Sequence, residues 1–157
     1  MQNASNVRTL APMKPPNRNA SPKNKRSSCP ISIGLEALGD AWSLLIIRDL
    51  MFKGRKTFRE FQEGGEGIAS NILTDRLQRL ESLKIISKAK DVGDARKFNY
   101  QLTAAGIDLA PTLIELIIWS AKYFDTAAPA NVIDAMTHQR KKFLSDVRKN
   151  WEKSTAT

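Results

Sequence analysis

The chain has 157 residues, of which 41% are hydrophobic and 26% charged, and its formal net charge is +9 at neutral pH; this is enough for one domain with its own core plus appendages, and the basic excess suits a polyanionic partner. The single Cys29 and single His138 exclude a disulfide framework, give little support to a Cys–His catalytic pair or a metal-ligand cluster, and fit a reducing compartment such as the cytoplasm. No apolar run approaches the ~20 residues of a membrane helix, and the N-terminus lacks the apolar stretch of a secretory signal, so neither a membrane nor a cofactor is expected.

Residues 1–28 carry Arg8, Lys14, Arg18, Lys23, Lys25 and Arg26 with no acid, together with Pro12, Pro15, Pro16 and Pro22. Such a segment buries too little to offset its ordering entropy and reads as a disordered basic tail. Order is expected from Cys29-Pro30, because proline suits a first helical position. Ile31, Leu35 and Leu38 share one face, and Gly39 ends that helix. Asp40 is a candidate N-cap for a second helix with Trp42, Leu45, Ile46, Asp49 and Leu50 on one side. Thr57 and Glu60, three apart, form a capping-box pattern that opens a short helix carrying Phe58 and Phe61.

The turn Glu63-Gly64-Gly65-Glu66-Gly67 lacks the Lys-Ser/Thr of a phosphate loop. It leads into an amphipathic helix over about 69–83, with Leu73, Leu77 and Leu80 as its buried stripe. Two strands follow, Ile86–Asp91 and Lys97–Leu102, joined at a tip over residues 92–96; in the second, Phe98, Tyr100 and Leu102 are expected inward. Thr103 caps a predicted long helix over about 104–124, apolar on nearly every side through Leu113–Trp119. A helix hydrophobic all round needs cover all round, and a domain this small offers too little of it. A subunit interface is therefore expected, with a central core helix as the plain alternative. After Pro129 a last helix carries Ile133, Met136, Phe143, Leu144, Val147 and Trp151 at helical spacing, opposite Arg140, Lys141, Lys142, Arg148 and Lys149.

The order of helix, helix, short helix, turn, amphipathic helix, hairpin and long helix describes a mainly α winged helix-turn-helix with a small β-hairpin. Cys29-Pro30, Leu38-Gly39-Asp40-Ala41-Trp42, Leu44–Leu50, Arg59-Glu60-Phe61, Gly67–Leu77, Leu80-Glu81 and Tyr100–Gly106 stand in the order and spacing of HxlR-type transcriptional regulators, and over residues 29–124 the chain resembles that family within the wider MarR-like group. The resemblance implies a DNA-binding homodimer whose first and last core helices pair across a two-fold axis. Many members answer oxidants, reactive carbonyls or small metabolites, some through a cysteine at the position of Cys29. Two residues depart from the pattern: Ala69 where Ser often stands, and Lys84 where Gly usually ends the helix. A left-handed Lys84 costs on the order of 1–2 kcal/mol, so a different helix end is expected there.

Three units result: a disordered basic tail (1–28), a winged helix-turn-helix domain (29–125) and an amphipathic C-terminal helix extension (126–157). Double-stranded DNA is the expected partner, with a small-molecule or oxidant effector. Ser70, Asn71 and Thr74 are expected to approach base edges. Asp75 is a candidate acceptor or an orienter of Arg76 or Arg79, and Gln78 lies on the same face. Arg79, Lys84, Lys53, Arg55 and Lys56 are candidates for phosphate contact, which positions the protein without reading sequence. Arg96 at the wing tip suits a minor groove, or else pairs with Asp94 or Asp91; Lys97 flanks it. Cys29 beside Lys25 and Arg26 at a helix N-terminus is the redox candidate, with a simple packing role as the alternative. Ile31, Leu35, Leu113, Leu116, Ile117 and Trp119 are the expected dimer contacts. The competing function is a winged helix used for protein interaction or for DNA binding without sequence preference.

Overall fold

A computed structural model describes residues 26–94 and 96–155; most of the expected disordered tail lies outside them. Helix α1 (Pro30–Leu38) starts with proline at its first turn and stops where Gly39 N–H bonds Leu35 O. Helix α2 (Ser43–Phe52) begins later than the Asp40 cap expected from sequence. Asp40 still does capping work one turn ahead: Oδ1 accepts from the N–H groups of Trp42 and Ser43, both at 2.9 Å. Helix α3 (Phe58–Gln62) carries the complete capping box, Thr57 accepting from Glu60 N–H while Glu60 accepts from Thr57 N–H.

Helix α4 (Ser70–Ser82) buries Leu73, Leu77 and Leu80 and no other residue, the stripe the sequence predicts. Its end corrects the expectation at Lys84, which is left-handed at φ 60°. Ile85 N–H bonds Leu80 O and Lys84 N–H bonds Glu81 O, the paired bonds of a Schellman ending, and Leu80 and Ile85 both lie in the core. Burying Ile85 fixes the chain's exit, and Lys84 accepts the strain.

Strands β1 (Ile86–Lys90) and β2 (Phe98–Leu102) pair antiparallel from Ile86↔Leu102 to Lys90↔Phe98. The loop before α3 joins them: Tyr100 N–H donates to Lys56 O at 2.7 Å, and Thr57 bridges Asn99. Leu102 is buried, but Phe98 is exposed, against its expected inward position, because the far end of the hairpin runs past the helical layer.

The predicted long helix is two, α5 (Ala104–Ile107) and α6 (Ala110–Tyr123). Pro111 has no N–H to offer Ile107 O, and its ring crowds that carbonyl, so the helix breaks just before it. The expectation that no stretch has the length of a membrane span also needs correction, since Ala104–Tyr123 is long and apolar enough by composition to cross one. Here it supplies Ile107, Ala110, Leu113 and Ile114 to the core. The last predicted helix is likewise two, α7 (Ala130–His138) and α8 (Arg140–Thr155). Helix α8 packs on α2, α6 and α7. Trp151 Nε1 donates to Leu102 O at 2.8 Å, and Phe143 meets the Phe52 ring at 6.4 Å.

Candidate nucleic-acid interface

The turn from α3 into α4 needs backbone that L side chains rarely adopt: Gly65 and Gly67 sit at φ 87° and 72°. Ile68 then plugs into the core, and α4 starts at Ser70 with Ala69 as an N-cap that offers no side-chain bond. With the leucine stripe turned inward, Ser70, Asn71, Thr74, Asp75, Gln78 and Arg79 are all exposed. They form one polar face, as the spacing predicts. Thr74 Oγ1 donates to Ser70 O at 2.8 Å, which leaves its methyl and lone pairs outward. Asp75 pairs with Arg76, in line with the orienting role. Arg79 donates to the carbonyl of Glu36 in α1, so in this state it ties α4 to α1.

Sequence reasoning missed the groups that hold this helix in place. Arg76 Nε lies 2.9 Å from Asp40 Oδ1, an ion pair without good hydrogen-bond alignment, linking α4 to the α1–α2 corner. Burial works against the Asp40 charge, but bonds from the Ser43 hydroxyl and the Trp42 and Ser43 N–H groups, with the Arg76 guanidinium beside it, outweigh it and lower its pKa. Asp49 is buried in α2 between two arginines. Arg48 reaches its Oδ1 at 2.7 Å, and Arg55 reaches its Oδ2 at 2.7 Å. Arg48 also holds Glu66, in the glycine turn, at 2.8 Å. Arg55, a phosphate candidate from sequence, is thus committed to an internal acid. The legible signal was Asp49 itself, an acid among the apolar residues of α2.

Lys53 and Lys56 are exposed beside the capping box. At the wing, Asp91 Oδ1 accepts from the Gly93 and Asp94 N–H groups, and its Oδ2 accepts from Asn99 Nδ2 at 2.7 Å. This folds the tip back on itself. Arg96 is 91% exposed and pairs with Asp94 at 3.2 Å; Lys97 Nζ stands 3.8 Å from the same carboxylate. The pair with Asp94 is one of the two alternatives weighed for Arg96, and a pair this open holds the side chain weakly.

Cys29 is exposed as the N-cap of α1. Arg26, one of the cations near it in sequence, pairs with Glu36 at 2.9 Å. Among the expected dimer contacts, Ile31, Leu35, Leu116 and Trp119 are exposed, Ile31 by 74% and Trp119 by 52%. Ile117 is half-buried, and Leu113 belongs to the chain's own core, which corrects its place among the interface residues. Trp119 also meets the tilted ring of Tyr123 and the edge-on ring of Phe124, ring centres 5.7 and 5.4 Å away, two exposed aromatics the sequence did not single out.

Residues 37–128, more than half of the chain, match the HxlR-like helix-turn-helix family. The chain belongs to this family. It is similar to an uncharacterized HTH-type transcriptional regulator of Synechocystis, sll1512, at 33% identity over 56% of this chain and 64% of that protein. The chain thus spans less than two thirds of the length of that relative. It is similar in structure to PA1607, assigned as a candidate transcription factor, with a TM-score of 0.60 at 35% identity over 68% of this chain and 72% of the other. It is also similar to the transcriptional regulator YodB of B. subtilis in its reduced form, with a TM-score of 0.52 at 30% identity over 62% and 95%; YodB has been solved bound to quinone as well. The HxlR-like chain has the winged, mostly helical fold with a two-stranded hairpin that goes with this helix-turn-helix family.

Proposed function

We propose that the protein is a sequence-specific, homodimeric regulator that reads double-stranded DNA with α4 in the major groove and its wing at the minor groove. The observation that carries this is the outward polar face of α4, Ser70, Asn71, Thr74 and Gln78, standing on a stripe of buried leucines. The major groove admits one helix, and its base edges present donors and acceptors to match such groups. The first turn of α4 holds no acid, so its free N–H groups and dipole favour a phosphate. Arg96 and Lys97 at the wing, with Lys56 at the flank, supply charge for the backbone and the narrow groove. Arg79 joins them on releasing the Glu36 carbonyl.

The test is selection of bound sequences from a random duplex pool, followed by affinity measurements with Asn71→Ala. Loss of about 1–3 kcal/mol at selected sites, with relaxed sequence preference, is expected. Unchanged affinity and preference, or a specific-to-nonspecific ratio far below the ~10³ typical of regulators, would favour an architectural or protein-binding role.

The exposed Ile31, Leu35, Leu116 and Trp119 support dimerisation through α1 and α6, because an apolar surface of this kind needs cover. An effector response fits as well. Cys29 is exposed at a helix start, and YodB, a similar regulator, has reduced and quinone-bound forms. Equal DNA affinity of the oxidised and reduced protein, with Cys29→Ser behaving the same, would remove the thiol from the switch.

A further inference from the structure

Helices α2 and α6 leave a cleft of about 290 Å³ between them, walled by Leu44 and Leu45, by Leu116 and Ile117, and by Ala128 in the segment that leads to α7. Its lining is almost wholly apolar. An apolar cavity of about 150 Å³ is enough for benzene, so this one has room for a substituted ring. Polar side chains border it at Ser120, Thr126 and Arg48. That is the pattern of a small-molecule site, where apolar walls give affinity and a few polar groups give orientation. Arg48 is the informative one. Of the five N–H donors of a guanidinium, Nε and one on Nη2 go to Asp49 and one on Nη1 goes to Glu66, which leaves two for an oxygen in the cleft. Asp49 is also held by Arg55. Arg48 and Arg55 thus balance Asp49 and Glu66, and an anion in the cleft meets no spare positive charge.

We propose that this cleft binds a small uncharged molecule, a ring or short apolar chain carrying one carbonyl or hydroxyl oxygen that accepts from Arg48. A charged ligand gives up its hydration for walls that return nothing, whereas a neutral one loses little and gains the apolar contact. The same guanidinium holds Glu66, and Glu66 stands between Gly65 and Gly67, whose positive φ angles turn the chain toward α4. An oxygen arriving on Arg48 draws on the donor group that steadies this turn, so occupancy of the cleft is felt just ahead of the recognition helix. Leu116 and Ile117 are also among the expected dimer contacts. The ligand then lies at the edge of the second copy, and a partner side chain filling the cleft is the competing occupant. Binding stands on the cleft alone; its use as an effector site rests on the DNA-binding reading above.

The experiment titrates the full chain with acetophenone and follows methyl and amide NMR shifts. Two probes of the same size serve beside it: α-methylstyrene, which lacks the oxygen, and benzoate, which carries a charge. Acetophenone is expected to give saturable shifts at the methyls of Leu44, Leu45, Leu116 and Ile117 and at the amides of residues 64–67. α-Methylstyrene moves the methyls but not the turn. Benzoate binds at least about tenfold more weakly, the cost of stripping water from a carboxylate. Nuclear Overhauser contacts from the acetophenone ring to the Leu45 and Ile117 methyls locate it without any variant. Ala128→Phe, which fills the cleft, removes the saturable shifts while the other methyl signals stay in place. No saturable shift at millimolar acetophenone, contacts only elsewhere on the chain, or benzoate bound as tightly overturns the inference; equal movement of the turn by α-methylstyrene overturns the role of Arg48. With acetophenone saturating, affinity for a selected duplex is expected to fall at least about fivefold, the low end of effector coupling. Unchanged affinity in a chain that binds the duplex overturns the effector role and leaves the DNA reading intact. A chain that binds acetophenone but no duplex defeats the DNA reading and leaves the cleft as a ligand site.

Discussion

At the scale of single residues, Lys84 is the clearest point of conflict. It takes a left-handed backbone that glycine adopts without cost, because Ile85 must enter the core on the next step. Lys84→Gly is expected to stabilise the fold by about 1 kcal/mol, read by urea unfolding; a destabilised variant would show that the lysine side chain compensates. Asp40 and Glu60 make the second residue-scale prediction. The Lys56 and Thr57 N–H groups hold the Glu60 pKa down, and the bonds around Asp40 do the same against its burial. Both groups have a lower pKa folded than unfolded, so their stabilisation is complete above the unfolded values near ~4 and is lost as pH falls through the folded ones. Asp40→Asn is expected to be less stable at pH 7 but to lose stability less steeply on acidification. Parallel curves for variant and wild type would rule this out.

At the scale of elements, α4 illustrates a division of labour that its spacing already shows: leucines every three or four residues inward, polar groups outward. What spacing does not show is the clamp around it, in which Arg48 bridges Asp49 in α2 to Glu66 in the turn, and Arg76 bridges α4 to Asp40. Helix α8 acts on another element, the hairpin, through a single indole. Trp151→Phe keeps most of the packing but removes the bond to Leu102 O, and should cost about 1 kcal/mol. Trp151→Ala removes the packing too and should cost about 3 kcal/mol. Equal losses in denaturant unfolding would mean that the N–H bond, and not the packing of the ring, seats the helix.

At the scale of the whole molecule, the α4 face, Lys56 and the wing are the groups proposed to meet DNA, while Ile31, Leu35, Leu116, Trp119, Tyr123 and Phe124 are exposed apolar residues on α1 and on α6 and its C-cap. Burying that surface between two copies would present two recognition helices to one duplex, about one helical turn apart. Trp119→Glu is therefore expected to give a folded monomer with greatly weakened DNA binding, seen by sedimentation beside an unchanged far-ultraviolet spectrum. A wild-type chain that is itself monomeric at micromolar concentration would contradict the arrangement.

The sequence by itself determined the elements whose cause is local. Thr57 and Glu60 announce their capping box, Leu73, Leu77 and Leu80 their buried stripe, and the glycines of 64–67 their turn, because each depends on residues within one or two helical turns. It also carried the polar face of α4, since that face is whatever the leucine stripe leaves outside. Only the tertiary structure decided the rest. Lys84 bends left-handed because of where Ile85 must go, Leu113 turns to its own core, Arg55 is claimed by Asp49, and Trp151 finds a strand carbonyl forty-nine residues away in sequence. These outcomes depend on which distant groups compete for the same buried partner, and no local pattern of residues encodes that competition.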